Sequence, residues 1–127
     1  IETRAQYGGL SSQEKLLASD DAVFFTFVDT AKGVMKQTDA RVFIAGSNDY
    51  QTMVSAYFMA PRNTFLHRGG PELPKAKYLQ RGDYILLLRA SELHYQSTAG
   101  LIHFPDGQQI QVREHLSDRI GSLLEVL

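Results

Sequence analysis

The residues in this chain whose types and spacing bear on chemistry begin with the turn Gly46-Ser47-Asn48-Asp49, which follows the apolar run Val42-Phe43-Ile44-Ala45. A turn between a strand and a helix exposes backbone amides at the positive end of the helix dipole, where an anion can be held. The opposing reading is an ordinary turn glycine followed by a helix cap. It leads, because a phosphate loop carries more glycines and a lysine, and Asp49 repels phosphate. Arg62, directly after Pro61, is a candidate ligand-binding cation on the edge opposite the turn, although such an arginine more often pairs with a carboxylate. Ser47, Asn48 and Arg62 are therefore the residues to inspect first for a ligand.

Other chemistries find less support. His67, His94, His103 and His115 lack the close pairing of metal motifs and read as surface or hydrogen-bonded residues, so no metal site is expected. Asp83, Glu92 and Asp106 supply carboxylates without a recognisable catalytic spacing, and Asp106 reads as a turn residue. Serine, histidine and aspartate are all present, but no Gly-x-Ser-x-Gly elbow lifts a serine into a nucleophile's position. No catalytic residue and no cofactor is expected.

Composition narrows the field further. The chain has 127 residues, 43% of them hydrophobic, which suits a single domain spanning 1–127. Thirteen basic and 14 acidic residues are interspersed and give a formal net charge of -1, too weak a field for a polyanion, so nucleic acid is not an expected partner. The absence of cysteine excludes disulfides, thiolate metal sites and a cysteine nucleophile. No apolar run approaches the ~20 residues that span a bilayer. The chain starts at Ile1 and its methionines, Met35, Met53 and Met59, fall inside predicted elements, so it reads as a piece excised from a longer protein.

The elements that must position these residues follow from periodicity. Ser11-Ser12-Gln13-Glu14 matches a capping box and predicts a short helix. Asp20 and Asp21 precede Phe24, Phe27, Val28, Ala31 and Met35, one apolar face of a helix over 21–37. Strands are expected near 41–46, 63–67 and 83–88, the first and last as continuous apolar runs suited to burial on both faces. Between the first two, Asn48 caps a helix with Gln51 at its third position, and Met53, Val54, Tyr57 and Phe58 form its greasy side. The aromatics Phe24, Phe25, Phe27, Tyr57 and Phe58 read as core. A brief helical turn fits Lys75 to Leu79. Leu101 to Phe104, the turn Pro105-Asp106-Gly107 and Ile110 to Arg113 read as an antiparallel hairpin. Gly121 to Leu127 fits either a last strand or the end of a helix begun at Ser117, and the strand leads because Gly121 weakens a helix interior and Leu124 and Val126 alternate with Glu125. The sum is an α/β fold, a three-layer sandwich whose small, mainly parallel sheet is extended by an antiparallel hairpin.

The segment Asp49-Tyr50 through Tyr57-Phe58-Met59-Ala60-Pro61-Arg62-Asn63, followed by Gly82-Asp83-Tyr84-Ile85-Leu86-Leu87, resembles the soluble extracytoplasmic domain that follows the transmembrane helices of some bacterial polytopic membrane proteins. Those proteins are similar to lipid-sugar-dependent glycosyltransferases of the cell envelope. The resemblance spans roughly residues 41 to 88. In that family the catalytic acids lie in loops between membrane helices, so it implies no catalytic role for any residue of this chain. It implies a non-catalytic accessory domain on the periplasmic side, with the membrane-embedded part of the same protein and a glycan or protein as partners. A small soluble ligand-binding or sensor module is the alternative, its ligand lying beside the carboxyl ends of the strands near Ser47, Asn48 and Arg68-Gly69-Gly70. A free-standing enzyme comes third and needs a cleft holding titratable groups of perturbed pKa.

Overall fold

The computed structural model describes residues 22–35, 39–66 and 71–127. The expected capping box at Ser11, Asp20, Asp21, residues 36 and 37 of the expected helix, His67 and the segment Arg68-Gly69-Gly70 lie outside the described residues.

Helix α1 (Ala22–Val34) leads to strand β1 (Arg41–Ala45), helix α2 (Asp49–Met59) and strand β2 (Asn63–Leu66). A single 3-10 turn at Ala76–Tyr78 precedes β3 (Tyr84–Leu88), and the chain closes with β4 (His94–Gln96), β5 (Leu101–His103), β6 (Gln109–Ser117) and β7 (Gly121–Val126). The seven strands of the described residues join one open sheet in the order β2-β1-β3-β7-β6-β5-β4.

The α/β class and the antiparallel hairpin agree with the sequence, whereas the mainly parallel sheet does not. β1 pairs in parallel with β2 and β3, but the four pairings β3/β7, β7/β6, β6/β5 and β5/β4 are antiparallel. The physical reason is β7, which inserts beside β3 at the centre and joins the hairpin to the parallel strands as one sheet.

The layering also differs from a sandwich with helices on both faces. Val42, Ile44, Tyr84, Leu86, Leu88 and Leu123 pack against Phe27, Val28, Ala31 and Met35 of the α1 segment and Met59 of α2. On the other face Phe43, Ala45, Ile85, Leu87, Leu124 and Val126 are covered by Leu73 from the 71–80 segment and by Ile102 and Phe104 of the hairpin. Both described helices thus share one face. This two-sided cover explains why β3 is apolar at every position, each fully buried aliphatic side chain contributing about 1.5–3 kcal/mol.

Helix α2 corrects a second expectation. Its buried side is Thr52, Ser55 and Met59, while Met53 and Tyr57 are 44% and 74% exposed. Small side chains let the helix lie close to the exit of β1: a Cβ added to Gly46 would stand 3.0 Å from Thr52 Cγ2. Close approach outweighs the hydrophobic rank of Met53 and Tyr57. Of the expected aromatic core, Phe27 is buried and Phe25 meets Phe58 edge-on at 5.3 Å, but Tyr57 faces outward.

The last strand is present, and its glycine has a steric cause. A Cβ on Gly121 would come within 2.5 Å of the Leu87 carbonyl oxygen, so only glycine fits against β3.

Candidate functional site

A pocket of about 610 Å³ opens beside the carboxyl ends of the parallel strands. Four separated segments build it. Gly46, Ser47 and Asp49 come from the β1–α2 turn, Pro71, Glu72, Leu73 and Lys75 from the segment before the 3-10 turn, Glu92 and Leu93 from the exit of β3, and Phe104, Pro105 and Asp106 from the β5–β6 turn.

Hydrogen bonds hold these segments in place. Ser47 donates twice to the Ala90 carbonyl, from its amide at 2.5 Å and from Oγ at 3.0 Å, tying the exits of β1 and β3 together. Glu72 fixes the opposite wall: its Oε1 accepts from Ser91 Oγ at 2.5 Å and its Oε2 from the Glu92 amide at 2.7 Å. A carboxylate accepting two such bonds has a set orientation and keeps lone pairs for a ligand. At the third wall, the Phe104 amide donates to Gln108 O at 2.7 Å, Gly107 takes φ 92°, and Asp106 Oδ1 accepts from the Gln108 amide at 2.9 Å. The Pro105-Asp106-Gly107 turn therefore forms as its sequence requires, and it also presents Phe104 and Asp106 to the pocket.

The three sequence-selected residues separate. Ser47 lines the pocket. Asn48 is the α2 cap, its Oδ1 accepting from the Gln51 amide at 3.0 Å, which gives the side chain a structural task. Arg62 lies at the other end of the parallel strands, where its Nη2 donates to the Lys32 carbonyl near the end of α1 at 3.0 Å. Of the three carboxylates considered, Glu92 and Asp106 line the pocket and Asp83 does not. Asp83 is 5% exposed and binds Arg41 through both carboxylate oxygens, at 3.0 and 2.5 Å, while also accepting from the Gln80 amide at 2.7 Å. The hydrogen bond and charge of Asp83 raise the Arg41 pKa above its ordinary value.

The described histidines, His94, His103 and His115, fall outside the pocket. His94 and His103 face each other across β4 and β5 with ring centroids 5.5 Å apart, and His103 Nε2 lies 3.2 Å from Gln96 Oε1. His115, the extra residue of a bulge in β6, meets Glu125 Oε1 at 2.7 Å. Among the described residues no group of three or more His, Cys, Asp or Glu is arranged to hold a metal ion.

Among the described residues the pocket assembles no activated serine. The Ser47 hydroxyl donates to a backbone carbonyl, and among the described residues no histidine lines the cavity to act as its base. The phenols raised by their surroundings lie elsewhere. Burial and then the charge of Glu125 push Tyr84 up, and burial followed by the hydrogen bond to Glu114 pushes Tyr95 up to about 12.

Sequence reasoning missed Glu72, Leu73, Lys75, Leu93 and Phe104. A signal was present in Pro71-Glu72-Leu73-Pro74, where two prolines bracket an acidic and an apolar residue in a loop with no helix or strand pattern.

Compared with known protein families, curated proteins and solved structures, the chain matches none of them.

Proposed function

We propose that this chain is a non-catalytic ligand-binding module that takes a small organic molecule beside the carboxyl ends of β1 and β3. One observation carries the reading: the pocket has an apolar floor of Leu73, Leu93 and Phe104 and a polar rim of Ser47, Asp49, Glu72, Lys75, Glu92 and Asp106. Its volume of about 610 Å³ falls within the range of small-molecule sites, and strand ends in open sheets are where such sites form. The test is saturation-transfer NMR of a small-fragment library against the wild type, Leu93→Trp, which fills the floor, and Tyr57→Ala, which is remote from it. Hits should lose their signal with Leu93→Trp and keep it with Tyr57→Ala. Hits indifferent to Leu93→Trp overturn the proposal.

A second reading is favoured by the outer side of α2. After Asp49 the helix carries no charged residue, and it presents Tyr50, Met53 and Tyr57 at 60%, 44% and 74% exposure. Solvent faces of helices are ordinarily charged, and exposed aromatic and methionine side chains suit a protein contact. This supports the accessory-domain reading, in which the module belongs to a periplasmic, glycosyltransferase-associated membrane protein of the cell envelope and uses α2 against its membrane-embedded part or a glycan or protein partner. That reading requires the coding frame upstream of Ile1 to encode several apolar stretches of about 20 residues. A frame without them contradicts it.

A further inference from the structure

We infer that the pocket selects an organic cation, an ammonium or guanidinium group carried on an apolar body. The inference rests on the proposed reading of the cavity as a ligand site and adds the chemical class of its occupant.

Charge is the first argument. Among the described residues lining the cavity, Asp49, Glu72, Glu92 and Asp106 are carboxylates and Lys75 is the one cation, leaving an excess of three negative charges. A cation in a concave site lined by carboxylates is attracted by all of them at once, and a concave wall screens this less than open surface does. The same rim opposes an anion.

Geometry then separates organic from inorganic cations. A divalent ion needs several oxygens converging at about 2.0–2.6 Å. No three acidic or histidine side chains among the described residues meet that need. The carboxylates instead come from four separate segments around the rim, with Glu72 fixed by Ser91 and Glu92. A spread rim suits an ammonium or guanidinium, whose several donors can reach different acceptors.

The floor supplies the rest of the specification. Leu73 and Phe104 are 4% and 8% exposed, and Leu93 packs with the same apolar cluster. Nothing in a hydrated metal ion uses that floor, whereas an aliphatic or aromatic frame attached to the cation does.

The test uses the chain with ¹⁵N-labelled amides and three probes of matched size: phenethylammonium, 2-phenylethanol and 3-phenylpropionate, at constant ionic strength. Phenethylammonium should move the amides of Ser47, Leu93 and Phe104 and bind about tenfold more tightly than the alcohol, with the propionate weakest. The double variant Glu92→Gln, Asp106→Asn keeps an acceptor for the Gln108 amide. It should weaken the ammonium about tenfold and leave the alcohol unchanged. Lys75→Gln should strengthen the ammonium, a gain that misfolding cannot produce. If the alcohol or propionate occupies the pocket as tightly as the ammonium, cation selection is overturned and the ligand-module reading stands. If none of the three moves the pocket amides, both are overturned.

Discussion

The two ends of the parallel strands handle charge in opposite ways. At the amino end Asp83 closes on Arg41, His115 meets Glu125, and Arg62 binds the Lys32 carbonyl, so charged groups there are matched to partners within the protein. At the carboxyl end, among the described residues, four carboxylates and one lysine line a cavity with an apolar floor. Charge matched to charge is explained by folding alone. An unbalanced rim around a concave apolar floor is what a ligand site requires, and this difference directs the functional reading to Ser47, Glu72 and Glu92 rather than to Arg62.

Breaking the amino end should have the largest effect on stability. Asp83→Ala removes the carboxylate that Arg41 and the Gln80 amide share, but Arg41 is 32% exposed and keeps the Tyr78 carbonyl, so the expected cost is about 2 kcal/mol in urea unfolding. A loss no larger than that of a surface substitution would remove the basis for calling this end structural. Glu125→Gln tests the neighbouring pair. Its two side chains are 26% and 24% exposed, so with His115 protonated the expected loss is about 1 kcal/mol, and that loss should shrink in high salt.

The hairpin between the two ends offers a pH test. Burial first, and then the hydrogen bond to Glu114 at 2.8 Å, push the Tyr95 phenol up to about 12, so the folded state favours its protonated form. The stability this lends is complete below the ordinary tyrosine value of about 10 and is lost as pH rises through about 12. Denaturation of the wild type and Tyr95→Phe across that interval should differ in slope, with the wild type falling faster. Parallel curves would contradict the assignment. The smallest expected effect is at the pocket rim, where Glu92→Gln should change stability by less than about 0.5 kcal/mol. A loss comparable to that of Asp83→Ala would make the rim structural and erase the contrast between the ends.

Legibility in the sequence followed how local each cause is. The Asn48 cap, the Pro105-Asp106-Gly107 turn and the apolar runs of β1 and β3 depend on neighbours in the chain, and all form as their residues imply. The orientation of α2 depends on what it rests against. Thr52 fits against Gly46 at the exit of β1 and Ser55 is buried beneath the helix while Met53 is exposed, a fact that hydrophobic rank along the helix cannot carry. Strand β4 has only three residues, two of them exposed, and exists through its pairing with β5. The sheet became mostly antiparallel because β7 chose β3 as its neighbour. The pocket was the least legible feature, since the Glu72 carboxylate joins residues 19 and 20 positions away in sequence. Ser47 alone of the three residues singled out in advance lines it, because its position at the end of β1 is a local property.

The most direct test of the claim that the carboxyl end is the binding end is a map of backbone amide shifts across the whole chain during titration with its fragment hits. The account predicts shifts concentrated at Ser47, Leu73, Leu93 and Phe104, with Arg41, Asp83 and Glu125 unmoved. Shifts centred on Arg41, Asp83 and Glu125, or on the outer face of α2, would contradict it.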